Sequence, residues 1–563
     1  MLDVDIDDIA QFYKRVLLPL KHPEKALRAT VPVYVDTEFN LMEEDFELTV
    51  DPDDPERIKD LVITGYRWVR HPFLEVAMQY EDHTYIHGPL LTAEEVLSFT
   101  FENLLDLIIK FLQESGAPLD KTPNVTILAH KAISEFRFAT PRTPDAVRAV
   151  LGGSERFFGM RGYKYRGISW HVKDTGAIFQ IPLEKLTKDC AITKLPISHE
   201  ERVDPYLFYE KDPARQLEYA RRDVQSLRLA TEFWRNEIWK RFHVDIIGEH
   251  VQTCGGISVR IFRSQFMNGE PLDPTITIKK RPRPETRFDP AYRKERYLAG
   301  RCYHGARRET LIRGLTKGKI DHYDFKKLYI TSMAACKLPG PKTPRRAIRS
   351  VRDLKYPGFV YMSSFEHKPD SKICFIPQMS EKYRKLIFPI EGRGHRKLKD
   401  EPACTTFEAR LAIQHRAKLK NLRGIVYLPP YDDRINKFAK ALLTEIDRWS
   451  DKVGEKFYKS LGVDFVGKLA EKDTIQEYDE LGYAKPKIKI ASPYFSPVHA
   501  ALILGFARTA EGEALLNSRD VVYYHTDSVV TVDSPKPKPG PIMRQLIKFG
   551  GGLALKWTAP WIY

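Results

Sequence analysis

Of 563 residues only six are cysteine (Cys190, Cys254, Cys302, Cys336, Cys374 and Cys404), and no two form a CxxC pair. That scatter argues against a zinc ribbon or a disulfide framework and fits core thiols in a reducing compartment. No apolar run reaches the roughly 18 residues of a membrane-spanning helix. The opening MLDVDIDDIAQF is acidic where a signal or transit peptide is basic, so the expectation is a soluble intracellular protein. Internal repeats and long low-complexity tracts are also missing, which leaves a large globular protein of ordinary domains.

Positive charge is plentiful. Lys and Arg number 90 against 75 Asp and Glu, a formal net charge of +15. A surplus of this size offers a basic face to a polyanion, and phosphate contacts supply most sequence-independent affinity for nucleic acid. With 42 % hydrophobic residues there is apolar mass for at least two cores. Proline and charge cluster at 267–300, which predicts a linker with the main boundary just before it. Upstream, the run VPVYV (31–35) predicts a buried strand, and stretches 93–115 and 214–242 predict helices, an alternating α/β pattern. Downstream, strands are predicted at 319–325 and 519–532, and helices at 405–421, 433–449 and 497–516. A second Pro/Lys run occupies 533–541.

Carboxylates stand at telling places in these elements. Asp36 and Glu38 close the first strand, and alternate strand residues project to one side, toward a common metal cluster. Tyr219 and Asp223 lie four apart in a helical stretch and share a face. Between them, ILAHKAISEFRF (127–138) runs from an apolar lead through His130 and Lys131 to Glu135. Each segment alone is commonplace. In this order they resemble the three exonuclease motifs, D-x-E, N-x-x-(F/Y)-D and Y-x-x-x-D, of proofreading family B DNA polymerases. Lys131, Ser134 and Glu135 stand where that family has Asn, an aromatic and Asp. The resemblance implies that Asp36, Glu38 and Asp223 hold two metals, with Tyr219 orienting the attacking water and Glu135 standing in as the fourth acid. Residues 172–190 are similar to the D-S…L…L-x-K-x-F segment of protein-primed members.

A second set follows. YDFKKLYITSM (323–333) resembles polymerase motif A, D-x-x-S-L-Y-P, with Lys327 for Ser and Ile330 for Pro. VVYYHTDSVVTV (521–532), two β-rich arms about a polar turn, resembles motif C, Y-x-D-T-D-S, with His525 in place of the first Asp. By that resemblance Asp324 and Asp527 ligate two metals, and Tyr329 packs beneath the incoming sugar. KSLGVDFVG (459–467) resembles motif B, in which Lys459 meets the triphosphate and Gly467 is retained, while Val463, Asp464 and Val466 replace Asn, Ser and Tyr. AGRCYHGARRE (299–309) resembles the Y-x-G-G segment, implying DNA contacts from Tyr303, Gly305, Arg307 and Arg308, with Ala306 for the second Gly. Segments 253–266 and 385–413 are similar to protein-primed and linear-plasmid polymerases, and KWTAPWIY (556–563) to the K-x-Y region entering the thumb, with Trp561 for Lys.

The resemblance implies a multidomain α/β chain. Residues 1–250 form an RNase H-like 3′-5′ exonuclease domain and 251–563 a right-hand polymerase: palm with motif A (251–340), insertion (341–425), fingers (426–480), palm with motif C (481–535) and the start of a thumb (536–563). It further implies DNA-directed DNA synthesis with 3′-5′ editing, two Mg²⁺ per site with Mn²⁺ as substitute, DNA and dNTPs as partners, and a terminal protein as primer. A viral, linear-plasmid or mitochondrial setting goes with it. His525, Val463 and Val466 raise two alternatives, a catalytically degenerate nucleic-acid-binding protein and an exonuclease alone.

Overall fold

The computed structural model describes residues 30–39, 42–51, 54–68, 71–121, 124–132, 160–189, 194–248, 251–267, 270, 272, 276–279, 285–288, 293–305, 307–310, 316–368, 373–379, 386–389, 391–393, 401–450, 452–471, 473–475, 488–490, 494–516, 518, 520–534 and 536–562. Its described residues fall into two compact units, one up to Ile257 and the other from Ser258 onward. The division lies ahead of the Pro-rich stretch, inside a helix (Cys254–Gln265).

The first unit is built on a six-stranded sheet. Its strands are β1 (Val31–Phe39), β2 (Leu74–Tyr80), β3 (His83–Leu90), β4 (Asn124–Ala129), β5 (Met160–Tyr165) and β6 (Ile168–Asp174), in the order β3-β2-β1-β4-β6-β5. The β1–β4 and β4–β6 pairs are parallel, and the register sets Val33 against Ile127 and Ile127 against Val172. Central parallel strands are covered on both faces, which is why VPVYV reads as an unbroken apolar run and VTILA is interrupted only by the buried Thr126. The predicted helix 93–115 is two helices, Ala93–Ser98 and α1 (Phe101–Glu114), because Thr100 caps the second with a capping box to Asn103. Leu104, Leu105, Ile108 and Leu112 of α1 pack against the Val33, Val125 and Trp170 core. Asp212 and a first-turn Pro213 start α2 (Pro213–Phe242), which ends at left-handed His243.

The second unit carries a five-stranded antiparallel sheet. Strands β7 (Arg308–Thr310), β8 (Thr316–Lys326), β9 (Asp520–His525), β10 (Ser528–Val532) and β11 (Gly552–Ile562) lie in the order β7-β9-β10-β8-β11. Residues 552–562, within the 536–563 stretch expected to begin a thumb, form the edge strand of this sheet, paired along β8. Five helices matter to the site: α3 (Leu328–Ala335), α4 (Thr406–Gln414), α5 (Arg434–Arg448), α6 (Val453–Ala470) and α7 (Pro497–Leu516). Phe465 of α6 packs at 4.9 Å from Phe262 and 4.7 Å from Phe438 of α5, ring centre to ring centre. Helix α7 matches its predicted span and is buried along almost its whole length, hence its lack of amphipathic period. The predicted helix 405–421 stops at Gln414, and Lys418–Lys420 is a short strand. Within 341–425, Arg345–Ala347, Gly358–Tyr361 and Ala403–Thr405 join Arg423–Tyr427 in a separate four-stranded sheet. The five cysteines among the described residues are free and buried.

Candidate active sites

Strand β1 and helix α2 assemble the first site. Asp36 and Glu38 project from the same face of β1, and about one turn of α2 separates Tyr219 from Asp223 on a shared face. The ligand atoms of Asp36, Glu38 and Asp223 all lie within 4.8 Å of one another. Asp36 and Asp223 are buried, and Oδ1 of Asp223 has no hydrogen-bond partner among the described residues. Three crowded carboxylates with an orphaned buried oxygen fit a divalent cation. Tyr219 is buried beside the cluster, and burial with the neighbouring Glu38, Asp223 and Asp36 charges raises its phenol far above the usual range, so it acts only as a neutral donor. Glu135 lies outside the described residues.

Two residues of this site escape the sequence reading. Lys194, from the segment before α2, forms an ion pair with Oδ2 of Asp223, and its ammonium lies 5.9 Å from the Tyr219 ring centre. Burial lowers its pKa, but Asp223, Asp36 and Glu38 together hold it above the ordinary lysine value. Glu75 stands opposite Glu38 on β2, fully buried, and accepts a 3.0 Å hydrogen bond from Nε2 of Gln216. Desolvation pushes its carboxyl up to about 7. Nothing in the local sequence marks either residue, since the fold alone brings them in. His130 is also buried nearby, its Nδ1 3.0 Å from the Thr175 hydroxyl, and burial and the Lys194 charge lower it to about 3. Lys131 adopts a left-handed backbone (φ 61°), with its N–H donating to Asp174 at 2.9 Å.

The second site sits on β8 and the β9–β10 hairpin. Asp324 pairs across the sheet with Ser528, and the Phe325 N–H donates to the Asp527 carbonyl at 2.6 Å, so the two carboxylate-bearing residues occupy adjacent strand ends. Thr526 takes a left-handed turn conformation (φ 59°), and its hydroxyl donates to Oδ1 of Asp527 at 3.0 Å. His525 is exposed, at the end of β9 opposite Arg308. Asp324 has close neighbours on both oxygens: Nζ of Lys556 at 2.7 Å from Oδ2, and Nε2 of His322 at 3.1 Å from Oδ1. Lys556, not the Trp561 position, is the cationic residue that β11 brings to the site. Burial lowers the pKa of His322, opposed by the Asp324 charge. Among the described residues the metal-holding group of three is Asp36, Glu38 and Asp223, so the second site offers Asp324 and Asp527 as its two candidate oxygen ligands, with the Lys556 ammonium and the His322 imidazole already on Asp324.

The remaining expected residues surround this centre. Tyr329 on α3 is partly buried, and burial with the Glu511 and Asp527 charges raises its pKa. Lys459 pairs with Glu455 one turn away, and Lys459, Val463 and Gly467 follow one another at four-residue spacing along α6. Gly462 fits against Ile330 of α3, where a Cβ would sit 2.3 Å from Cγ1. In the Y-x-G-G-like segment Tyr303 is half-buried, while Gly305 and Arg308 are exposed. Arg307 is different: it is 1 % exposed, with its guanidinium 4.0 Å from the Phe388 ring centre. A buried guanidinium stacked on a ring serves packing in the protein as it stands, where the sequence implied a phosphate contact. Arg508 of α7 holds the same loop by donating to the carbonyls of His304 at 2.5 Å, Gly305 at 3.2 Å and Cys302 at 3.3 Å. Its Nε donates to Glu408 at 2.8 Å, a fully buried pair that sequence reading also missed.

The fold is that of a multidomain α/β polymerase. It is similar to phi29 DNA polymerase complexed with primer-template DNA and incoming nucleotides, with TM-score 0.58 and 14 % identity over 90 % of this chain and 81 % of that one. The orthorhombic crystal form of phi29 DNA polymerase gives TM-score 0.57 at 14 % identity, over 94 % of this chain and 85 % of the other. Residues 171–394 match the family of DNA polymerase type B, organellar and viral. The primer-independent DNA polymerase PolB of Escherichia coli is 25 % identical over 253 residues, 41 % of this chain and 27 % of that protein. The match thus spans about a quarter of the curated relative. The resemblance to type B DNA polymerases is borne out over residues 171–394, and the likeness to phi29 DNA polymerase is one of fold. Among the described residues, no helix is long and apolar enough to cross a membrane.

Proposed function

We propose that this chain is a DNA-directed DNA polymerase with an associated 3′-5′ exonuclease, each activity served by its own carboxylate set. The observation that carries the reading is the adjacency of Asp324 and Asp527 at neighbouring strand ends, on a fold similar to phi29 DNA polymerase.

In this reading Asp324 and Asp527 hold two Mg²⁺ ions, which when bound lower the pKa of a primer 3′-OH and neutralise charge on the incoming triphosphate. Tyr329 packs under the nucleotide sugar, and Lys459 with Gly467 presents the α6 stripe to the triphosphate. Tyr303, Gly305 and Arg308 steer the DNA backbone, contacts that position without reading sequence. At the editing site Asp36, Glu38 and Asp223 hold the metals, Tyr219 donates to the attacking water, and Glu135 completes the acid set. DNA and dNTPs are the partners, with a terminal protein supplying the priming hydroxyl. A viral, linear-plasmid or mitochondrial replicon is the setting that goes with this reading.

A second reading, a nucleic-acid-binding protein that has lost synthesis, is favoured by the Lys556 ammonium on Asp324 and by His525 in the hairpin. Primer extension with Mg²⁺ and dNTPs separates the two. Extension abolished by Asp527→Ala is the expected result, and no extension by the unsubstituted chain sinks the polymerase reading. Removal of nucleotides from a single-stranded 3′ end, abolished by Asp36→Ala, is the matching test of the exonuclease.

A further inference from the structure

Glu511 lies on α7 three residues beyond Arg508, fully buried, and among the described residues no donor holds either of its oxygens. An ionised carboxylate in that position is expensive, because nothing replaces the water it has lost. The polar groups beside it are the hydroxyl of Tyr524 on β9 and the backbone of Arg307.

The direction of one proton settles what the carboxyl can do there. A phenol has a single proton to give, and that of Tyr524 goes to the Thr526 carbonyl at 2.6 Å. The hydroxyl therefore offers Glu511 only its lone pairs. A protonated carboxyl can donate to them, whereas an ionised one meets a second acceptor. Desolvation favours the same form, pushing the carboxyl up to about 8 against the charges of Arg508 and Arg307. Those two cations are engaged elsewhere. Arg508 is bound to Glu408 of α4 and to the carbonyls of Cys302, His304 and Gly305, and Arg307 stacks on Phe388. Tyr329 on α3 and Tyr524 are the other titratable groups that feel the Glu511 charge, and both also feel Asp527.

Thr526 links this buried acid to the site. Its backbone is left-handed (φ 59°) without being glycine, a conformation that surrounding bonds must hold. Its N–H donates to the Arg307 carbonyl at 2.9 Å, its carbonyl accepts from Tyr524, and its hydroxyl lies 3.0 Å from Oδ1 of Asp527. An acceptor behind Tyr524 would compete with Thr526 for the phenol proton; a donor there leaves that proton on the turn.

We propose that Glu511 is a positioning residue of the second site, held as a neutral carboxylic acid that donates to the Tyr524 hydroxyl and so keeps the turn bearing Asp527 in place. The proposal rests on the reading of Asp324 and Asp527 as the polymerising site.

The test pairs infrared difference spectra of the full chain with primer extension in Mg²⁺ and dNTPs. Expected at neutral pH is a protonated-carboxyl band that Glu511→Gln removes and Tyr524→Phe shifts. Extension by Glu511→Leu should fall about 10–100-fold, more in kcat than in KM for dNTP, while Glu511→Gln, which keeps a donor, stays close to the unsubstituted rate. The ratio of the unsubstituted rate to the Glu511→Gln rate should drop as pH rises from about 7 to about 9, since the acid loses its proton and the amide does not titrate. Should Glu511→Leu fail to fold, the band and the pH-dependent ratio, both read on Glu511→Gln, still decide. An ionised Glu511 at neutral pH, a ratio that ignores pH, Glu511→Gln as slow as Glu511→Leu, or normal extension by Glu511→Leu overturns the proposal and leaves the polymerase reading standing. No extension by the unsubstituted chain overturns both.

Discussion

Single charges decide how each site behaves. At the first, the Lys194 ammonium occupies the company of three carboxylates that a divalent ion would also seek. Removing it leaves those carboxylates to repel one another and to attract a cation more strongly. Lys194→Met is therefore expected to tighten Mn²⁺ binding severalfold, measured by titration of a chain whose second site is silenced by Asp324→Asn; unchanged or weaker binding would show that the ammonium does not compete. Deeper in the second unit, Glu511 is fully buried and desolvation pushes it up to about 8, against the partial opposition of Arg508. Its folded pKa is raised, so the folded state keeps a proton that the unfolded chain releases at the ordinary value of 4.5. Stability from this group is accordingly full below about 4.5 and is lost as pH rises toward about 8. Glu511→Gln is expected to flatten the decline in melting temperature between pH 5 and pH 8, and an unaltered pH profile would discount this role.

Among the elements, the contrast between α2 and α4 shows what a sequence reveals. The carboxylates of the first site were legible because strand alternation and helical four-residue spacing leave a pattern in the letters, and Asp212 with Pro213 announces the start of α2. The stop of α4 was not legible. Arg416 takes a left-handed conformation (φ 62°), its N–H donates to Ile413 at 2.9 Å, and Ala417 donates to Ala412 at 3.0 Å, a Schellman closure without the glycine that normally signals one. Lys194, Glu75, His322 and Lys556 were illegible for a different reason: each reaches its site across the fold, where no spacing rule applies. Helix contact is equally hidden until seen. With no side chain at Gly462, α6 rests directly on Ile330 of α3, next to Tyr329. Gly462→Ala is expected to cost about 1–3 kcal/mol in denaturant unfolding, from overpacking a site with little room. It should also raise the KM for dNTP, and wild-type values of both would mean that Ile330 simply turns aside.

At the scale of the whole molecule, charge and partition count most. The formal surplus of +15 is spread through a chain read as holding DNA by its phosphates. If 6–10 phosphates are neutralised, affinity should drop about 10³–10⁵-fold between 50 and 200 mM salt. Fluorescence anisotropy with labelled primer-template measures this, and a flat salt response would argue against a phosphate-dominated interface.

The order of strands also sets a schedule for synthesis on the ribosome. Every strand of the first sheet lies between Val31 and Asp174, with α2 following soon after. In the second sheet β8 must wait for β10 and β11, which come only at Ser528–Val532 and Gly552–Ile562. Chains fold domain by domain as they emerge, the earlier part first. The unit bearing Asp36 and Asp223 can therefore close while β8 is still without its neighbours, and from the synthesis of Asp324 until Ser528 is made Asp324 belongs to an unpaired strand, an open sheet edge that a chaperone would find before any nucleotide does.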